Sequence, residues 1–422
     1  MQMLKKAVRR FLRLVRPPKP LKAPASLQSC SRRIPDSLSK GVWKKDYTAV
    51  LAPWPGDDTF FEGDGYLLRI RDIDTRIFQG KKRIYLFNSP FWDCDRPGVY
   101  IAEPGLAYYV IWNDRQRRQR NHIQTLINRS KCCYIHSVYR LIPNMMARND
   151  GSEKPIVDLN RLTCRTVIDF HGLVSAEKEL YGEPAPAVAL AEEAEQNAIR
   201  NADLCVSVTR HMAAELEQKY GLRMRRSLVL PIYMPVSETS ARPEKPKSNE
   251  IRIIYCGGLQ KWQRAEDMLD AAEACSLKNT AFEFCVNDED AFKILLSERK
   301  ISKPVTYGRK QGAALRRALL AADFGFLLRE DSPVNRVAFP TKLIEYIQNG
   351  VIPILDFEDI GDMPAYGIQY ITLGDFVSGK IPDAENRAGM ITRNLEILRN
   401  IESDRAAALK ELKEWIESPD AE

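Results

Sequence analysis

From about residue 46 the chain alternates short apolar runs with amphipathic stretches. The apolar runs are YTAVLAPW (47–54), RIYLF (83–87), GVYIA (98–102), YYVIW (108–112), CCYIHSV (132–138), RTVIDF (165–170), LCVSVT (204–209) and SLVLPI (227–232). They are short, unalternating and β-branched, the pattern of strands buried on both faces of a parallel sheet. AVALAEEAEQNAIRNA (187–202) and HMAAELEQKYG (211–221) predict helices, the second capped by Gly221. YMPVSETSARPEKPKSNE (233–250) is polar, carries three prolines and has no period, so it predicts a linker. A second alternation starts at IRIIYCGG (251–258) and runs to VIPILDF (351–357), and residues 384–416 predict two closing helices. The expected organisation is α/β. A segment 1–22 precedes a doubly wound domain (23–232), a linker (233–250), a second doubly wound domain (251–383) and terminal helices (384–422). Two such domains create a cleft at the carboxyl ends of their strands, where open α/β sheets take ligands.

Composition changes this picture little. The chain has 422 residues with 44% hydrophobic and 28% charged, which excludes a disordered or fibrous protein. No window holds eighteen consecutive apolar residues, so no membrane-spanning helix is expected. The net charge of +7 is mild, and no nucleic-acid-binding motif accompanies it, so a nucleic-acid partner is not expected. Nine cysteines lie in no disulfide or zinc spacing, and Cys205, Cys256 and Cys285 sit in apolar runs as small hydrophobes. Reduced thiols in a cytoplasmic protein are the expectation.

Charge does concentrate at the amino terminus, where residues 1–22 hold eight Lys or Arg and no acid. On a helix, Leu4, Val8, Phe11 and Val15 form one stripe, with Lys5, Lys6, Arg9, Arg10, Arg13 and Arg16 opposite, until Pro17-Pro18 ends it. Arginines interrupt every apolar run, so this is no secretory signal. Such a helix suits the surface of an anionic membrane, peripheral on the cytoplasmic face. Docking its stripe on the protein's own body is the alternative. The run Arg115–Arg120 opens another predicted helix and reads as a solvated face.

Four places could carry chemistry. Gly257-Gly258 follows a predicted strand and precedes a helix, which lets backbone approach an anion, with Lys261 and Arg264 close by. In LLREDSPVNRVAFPTKLIEYIQNGVIPIL (327–355) a strand ends at Arg329, a loop carries Arg336, and a helix opens at Pro340-Thr341-Lys342. Its first amides, with Thr341 and Lys342, suit a diphosphate. Glu345, one turn on, either accepts the two hydroxyls of a ribose or pairs with Lys342 on an exposed helix; spacing leaves both open. In VIDFHGLV, Asp169 and His171 stand at a strand's carboxyl end, and His136 stands at another. Asp72-Ile73-Asp74 and Asp93-Cys94-Asp95 have metal-ligand spacing but read as surface residues.

With these residues in view, the chain resembles retaining glycosyltransferases of the GT-B fold, family four, in a bacterial branch that builds surface glycans. The likeness covers most of residues 46–416 through DFHG (169–172), ADLCVSVTRHM (202–212), YCGGLQKWQ (255–263) and SPVNRVAFPTKLIEYIQNGVIPI (332–354). It implies two Rossmann-like domains facing across a cleft, the first for a glycan or lipid-linked acceptor and the second for a nucleotide-diphosphate sugar. It implies Glu345 on the ribose, His171 at the donor sugar, and no metal or other cofactor. GDGYLLRI (63–70), with Asp64 and Gly65, is similar to a cleft-lining glycine segment, and Asp169 falls in the same cleft. Three family positions differ: Gly258 replaces an arginine, Gln263 a lysine, and Val337 the first glutamate of the paired-acid motif. Among Lys261, Arg264, Arg329, Arg336 and Lys342, the expected replacement cations are Lys342 and Arg336. The expected activity is metal-independent sugar transfer with retention. A non-catalytic nucleotide- or glycan-binding protein on the same fold is the alternative. An epimerase or phosphorylase on this fold has no specific residue in its favour.

Overall fold

A computed structural model describes residues 28–31, 46–55, 65–88, 98–112, 117–142, 157–232, 250–299 and 301–418. Two compact units divide the chain. One holds the residues up to Phe170 with Gly182–Cys205 and Arg223–Arg226. The other holds His171–Tyr181, Val206–Leu222 and everything from Ser227. The basic segment 1–22, Asp64, Asp93 and Asp95 lie outside the described residues, as does nearly all of the expected linker.

The first sheet is built from β1 (Gln28–Ser31), β2 (Thr48–Leu51), β3 (Arg83–Asn88), β4 (Gly98–Glu103), β5 (Ala107–Trp112), β6 (Cys132–His136), β7 (Arg165–Phe170), β8 (Leu204–Ser207) and β9 (Ser227–Val229). Its helices are α1 (Gly65–Ile73), α2 (Arg117–Asn128), α3 (Val174–Leu180), α4 (Ala185–Asn201) and α5 (Arg210–Tyr220). The strand order is β1-β4-β5-β3-β2-β6-β7-β8-β9. All eight apolar runs are strands, and Gly221 ends α5 in the left-handed region at φ 61°. The parallel expectation fails at one edge, where β4 runs antiparallel to both β5 and β1. Only Pro104–Leu106 separate β4 from β5, with Gly105 at φ 73°, and so short a connection can make only a hairpin.

The reading of Asp72 and Asp74 as surface residues is also corrected. Asp72 is buried at the end of α1. Asp74 binds the fully buried Arg83 (Nε–Oδ1 2.6 Å) and accepts from the Tyr85 hydroxyl at 2.9 Å. Arg83 in turn reaches the partly exposed Glu103 at 2.6 Å, so Asp74 is committed to a charge network around a buried guanidinium.

The second sheet comprises β10 (Ile251–Gly257), β11 (Thr280–Val286), β12 (Val305–Gly308), β13 (Phe324–Phe326), β14 (Ile352–Leu355) and β15 (Ile371–Thr372), in the order β12-β11-β10-β13-β14-β15. All five of its strand pairings are parallel. Its helices are α6 (Ala265–Ala274), α7 (Glu289–Ser297), α8 (Gly312–Ala321), α9 (Pro333–Arg336), α10 (Thr341–Gln348), α11 (Met363–Tyr366), α12 (Leu373–Val377) and α13 (Ala384–Glu417). Phe282, Phe284, Phe292, Phe326 and Phe376 pack its core, with Phe282 stacked on Phe326 at 6.4 Å between centroids. The two closing helices expected over 384–416 are one helix of 34 residues, because no proline or capped turn interrupts it. No helix of the described residues is long and apolar enough to cross a membrane. Strand order reverses between β10 and β13, and a doubly wound sheet opens its ligand crevice at such a switch point.

Candidate functional site: two desolvated cations at the switch point

Tyr346 sets the geometry. Its side chain is fully buried under α10, where its hydroxyl donates to the Phe326 carbonyl at 3.2 Å and accepts from the Cys256 amide at 3.3 Å. One side chain therefore pins α10 to both switch-point strands. Gly325 permits it, since a Cβ there would meet the Tyr346 ring at 2.5 Å. Leu343, Ile344 and Ile347 bury the rest of that face, so Lys342 and Glu345 are left at its margin.

Lys342 lies against the end of β10. Its Nζ donates to Gln263 Oε1 at 3.0 Å and stands 4.1 Å from the centroid of the Tyr255 ring. The Tyr255 hydroxyl donates to the Gly258 carbonyl at 2.5 Å, which folds the glycine loop over the ring. Burial, joined by the neighbouring Arg329 charge, lowers the Lys342 ammonium to about 7. Arg329 is itself desolvated, and burial lowers its pKa as well. Its Nε is buried without a hydrogen-bond partner, and among the described residues neither Arg329 nor Lys342 forms an ion pair. Two neighbouring, partly buried cations with no carboxylate on either disfavour the free protein and form a site for an anion. The amino end of α10 adds to it, for Pro340 provides no side-chain cap.

Gly257 is needed for this arrangement. A Cβ there would fall 2.5 Å from Lys342 Nζ and 2.9 Å from the Tyr255 hydroxyl. The ammonium ends a flexible chain and can move aside, but the buried Tyr255 hydroxyl is crowded too, and Gly257 holds a φ of 159° that strains a side chain. Gly257→Ala should therefore lower Tm as well as weaken nucleotide binding about ten-fold, as measured by calorimetry. A variant that binds at wild-type strength would show that Lys342 tolerates displacement.

Glu345 forms no hydrogen bond through its carboxylate and no ion pair with Lys342 among the described residues. Of the two readings left open by spacing, the exposed pair with Lys342 therefore drops out. Burial raises its pKa, with Lys342 pulling the other way.

The remaining expected cations are occupied or set apart. Arg336 grips Asp331 on the surface (Nε–Oδ1 2.6 Å, Nη2–Oδ2 2.8 Å). Arg264 takes the left-handed backbone at φ 55°, which costs a non-glycine residue about 1 kcal/mol, and its guanidinium is bound by Asp267 and Asp356. Lys261 is exposed in the turn Lys261–Gln263. The geometry thus gathers Lys342, Glu345, Thr341, Gly257 and Gly258, and puts Arg329 where Arg336 was expected. Arg329 follows β13, which pairs with the glycine-loop strand β10. Val337 is buried, so no carboxylate stands at that position, and its carbonyl accepts from Thr209 Oγ1 at 2.8 Å.

In the first unit, Asp169 is not a cleft residue. It is fully buried, bound through both oxygens by the equally buried Arg69 (Nε–Oδ2 2.8 Å, Nη2–Oδ1 2.7 Å), and accepts from the Tyr134 hydroxyl at 3.0 Å. His136 Nδ1 lies 3.5 Å from the same carboxylate. A cation would have to displace the guanidinium, so this pair does not fit a metal. Gly65 opens α1, the helix that carries Arg69. His171 is the first residue after β7, partly exposed ahead of α3.

No protein-family model and no curated protein matches the chain. Solved structures do. The HepE protein of Anabaena in complex with UDP-glucose is 12% identical with a TM-score of 0.59, covering 87% of this chain and 99% of that one. The trehalose-6-phosphate synthase OtsA is 13% identical with a TM-score of 0.58, covering 89% and 99%. The sucrose-phosphate synthase of Thermosynechococcus elongatus is 12% identical with a TM-score of 0.52, covering 88% and 95%. Likeness at this identity speaks to architecture, and with the two parallel-sheet units described above it establishes that the chain has the GT-B fold.

Proposed function

We propose that the protein is a glycosyltransferase that moves a sugar from a nucleotide diphosphate to a glycan or lipid-linked acceptor. The observation that carries this reading is the pair Lys342–Arg329, two desolvated cations without counter-ions at the sheet's switch point. A diphosphate supplies the missing charge, and the leaving group gains negative charge as the glycosidic bond breaks, so the same cations favour the transition state. Glu345 has an open carboxylate for the ribose hydroxyls. HepE with UDP-glucose supports the donor class by fold analogy.

Retention, family four, a role in surface polysaccharide, metal independence and membrane contact through residues 1–22 belong to the same proposal and rest on the motif resemblance. In the retaining scheme the acceptor hydroxyl attacks the anomeric carbon on the face the diphosphate leaves. The carbon–oxygen bond to phosphate breaks, and the departing phosphate oxygen takes the hydroxyl proton. His171 would position the sugar. Its second reading, a binder without catalysis, is favoured by one observation, the buried Val337 where the family carries a glutamate.

Calorimetry against UDP, GDP, CMP, ADP and their sugars, with and without EDTA, tests the donor site. One nucleotide class is expected to bind equally in EDTA, and Arg329→Met to lose at least ten-fold in affinity. Binding of none by the wild type would overturn the reading. Donor hydrolysis or transfer then separates the transferase from the binder.

A further inference from the structure

Beside the cation site an aromatic pair is left open. Trp262 lies in the turn Lys261–Gln263, and its indole meets the Tyr181 ring edge-on, 5.0 Å between centroids at 75°. Tyr181 is 48% exposed and closes α3, with Leu180 exposed beside it. Most large aromatic side chains of this unit are buried in its core, so half-exposed rings next to a ligand loop call for an explanation. Among the described residues neither the Tyr181 hydroxyl nor the Trp262 indole N–H has a hydrogen-bond partner. Rings with open apolar faces and open polar edges suit a pyranose, whose C–H face stacks while its hydroxyls bond at the rim.

The position argues for the sugar half of the donor. Gln263, next to Trp262, is the residue that takes the Lys342 ammonium. A diphosphate on Lys342 and Arg329 carries its glycosyl group one bond from the terminal phosphate, within reach of this turn. We infer that Tyr181 and Trp262 form a stacking platform for the sugar half of the donor. The inference rests on the donor reading above and adds to it a pair of residues that distinguish the sugar nucleotide from the bare nucleotide.

The test compares UDP with UDP-glucose, and GDP with GDP-mannose, by calorimetry on the full chain. Trp262→Ala and Tyr181→Ala are expected to weaken the sugar nucleotide about ten-fold and to leave the bare nucleotide unchanged. Trp262→Phe and Tyr181→Phe, which keep a ring, should restore most of the loss and control for folding. Equal loss on both ligands would overturn the platform in favour of a base or diphosphate contact. No loss on either would overturn it outright, with the donor reading intact. A wild type that binds none of UDP, GDP, CMP, ADP and their sugars would overturn the donor reading, and this inference with it. Where only CMP or ADP binds, the same comparison is made between that nucleotide and its sugar nucleotide.

Discussion

UDP-glucose, or whichever sugar nucleotide binds, is expected to lose affinity as the pH rises above about 7, by up to ten-fold per unit. The free protein holds Lys342 at a pKa of about 7, so at pH 6 the ammonium is already charged and binding takes up no proton. Above pH 7 the free amine is neutral. A diphosphate beside it stabilises the charged form, raises its pKa in the complex, and so draws in a proton on binding. Affinity falls through this window until the pH passes the pKa of the bound state. The diphosphate of a sugar nucleotide is a diester and does not titrate here, which isolates the protein's contribution. The other groups against Lys342 are Arg329, Tyr255, Glu345 and the Cys256 thiol. Burial pushes Tyr255 and Glu345 upward, and the hydrogen bond with the Cys285 thiol together with burial raises Cys256, so these side chains hold less negative charge with which to stabilise the ammonium. Removing the Arg329 charge by Arg329→Met should move the midpoint up, though it stays below the ordinary lysine value because burial, the larger cause, remains. Binding that stays level from pH 6 to 9 would refute the desolvated-lysine account.

The same residue makes a stability prediction of defined sign. A lysine whose folded pKa lies below its unfolded value leaves the unfolded chain holding more protons between about pH 7 and 10.5, so stability rises with pH across that window. Lys342→Met keeps the apolar stem over Tyr255 and removes the charge. It is expected to flatten this dependence and raise Tm near pH 7 by roughly 2–4 °C or more. Turnover should fall about 10²–10³-fold. Gain of stability with loss of function is the signature of a charge placed for a ligand.

How much of this could be read beforehand follows from which forces leave a local mark. Strand runs and helix caps did, because burial on both faces and the φ of Gly221 constrain adjacent residues. The antiparallel edge left its mark only in loop length, three residues between β4 and β5, and runs of apolar residues say nothing of direction. The cation site was half legible. Thr341, Lys342 and Glu345 announce themselves at a helix start, whereas Arg329 matters only through a strand order that no local pattern encodes. Arg336 and Arg264 resembled free cations until their carboxylate partners, Asp331 and Asp356, came into contact. Asp169 misled for the converse reason: a strand-end acid beside a histidine suggests chemistry, and its partner Arg69 lies 100 residues away on α1.

That burial supports the other large prediction. Asp169→Asn keeps the shape and removes the charge, stranding the Arg69 guanidinium where water does not reach it. Breaking one side of a buried pair costs about 3–5 kcal/mol, roughly 6–20 °C in Tm for a unit of this size. The Tyr134 hydroxyl also loses a charged acceptor, which adds to the loss. Arg69→Met with Asp169→Leu removes both charges together, and apolar replacements of a buried pair are often close to neutral. The double variant should therefore melt well above either single one. Calorimetric melting of Asp169→Asn, Arg69→Met, Asp169→Leu and the double variant decides the matter, with nucleotide titration of Asp169→Asn below its transition as the functional control. A purely structural Asp169 predicts unchanged nucleotide affinity there. If Asp169→Asn instead melts like the wild type and loses sugar transfer, the carboxylate acts on substrate, and the ion pair with Arg69 serves to hold it for that role.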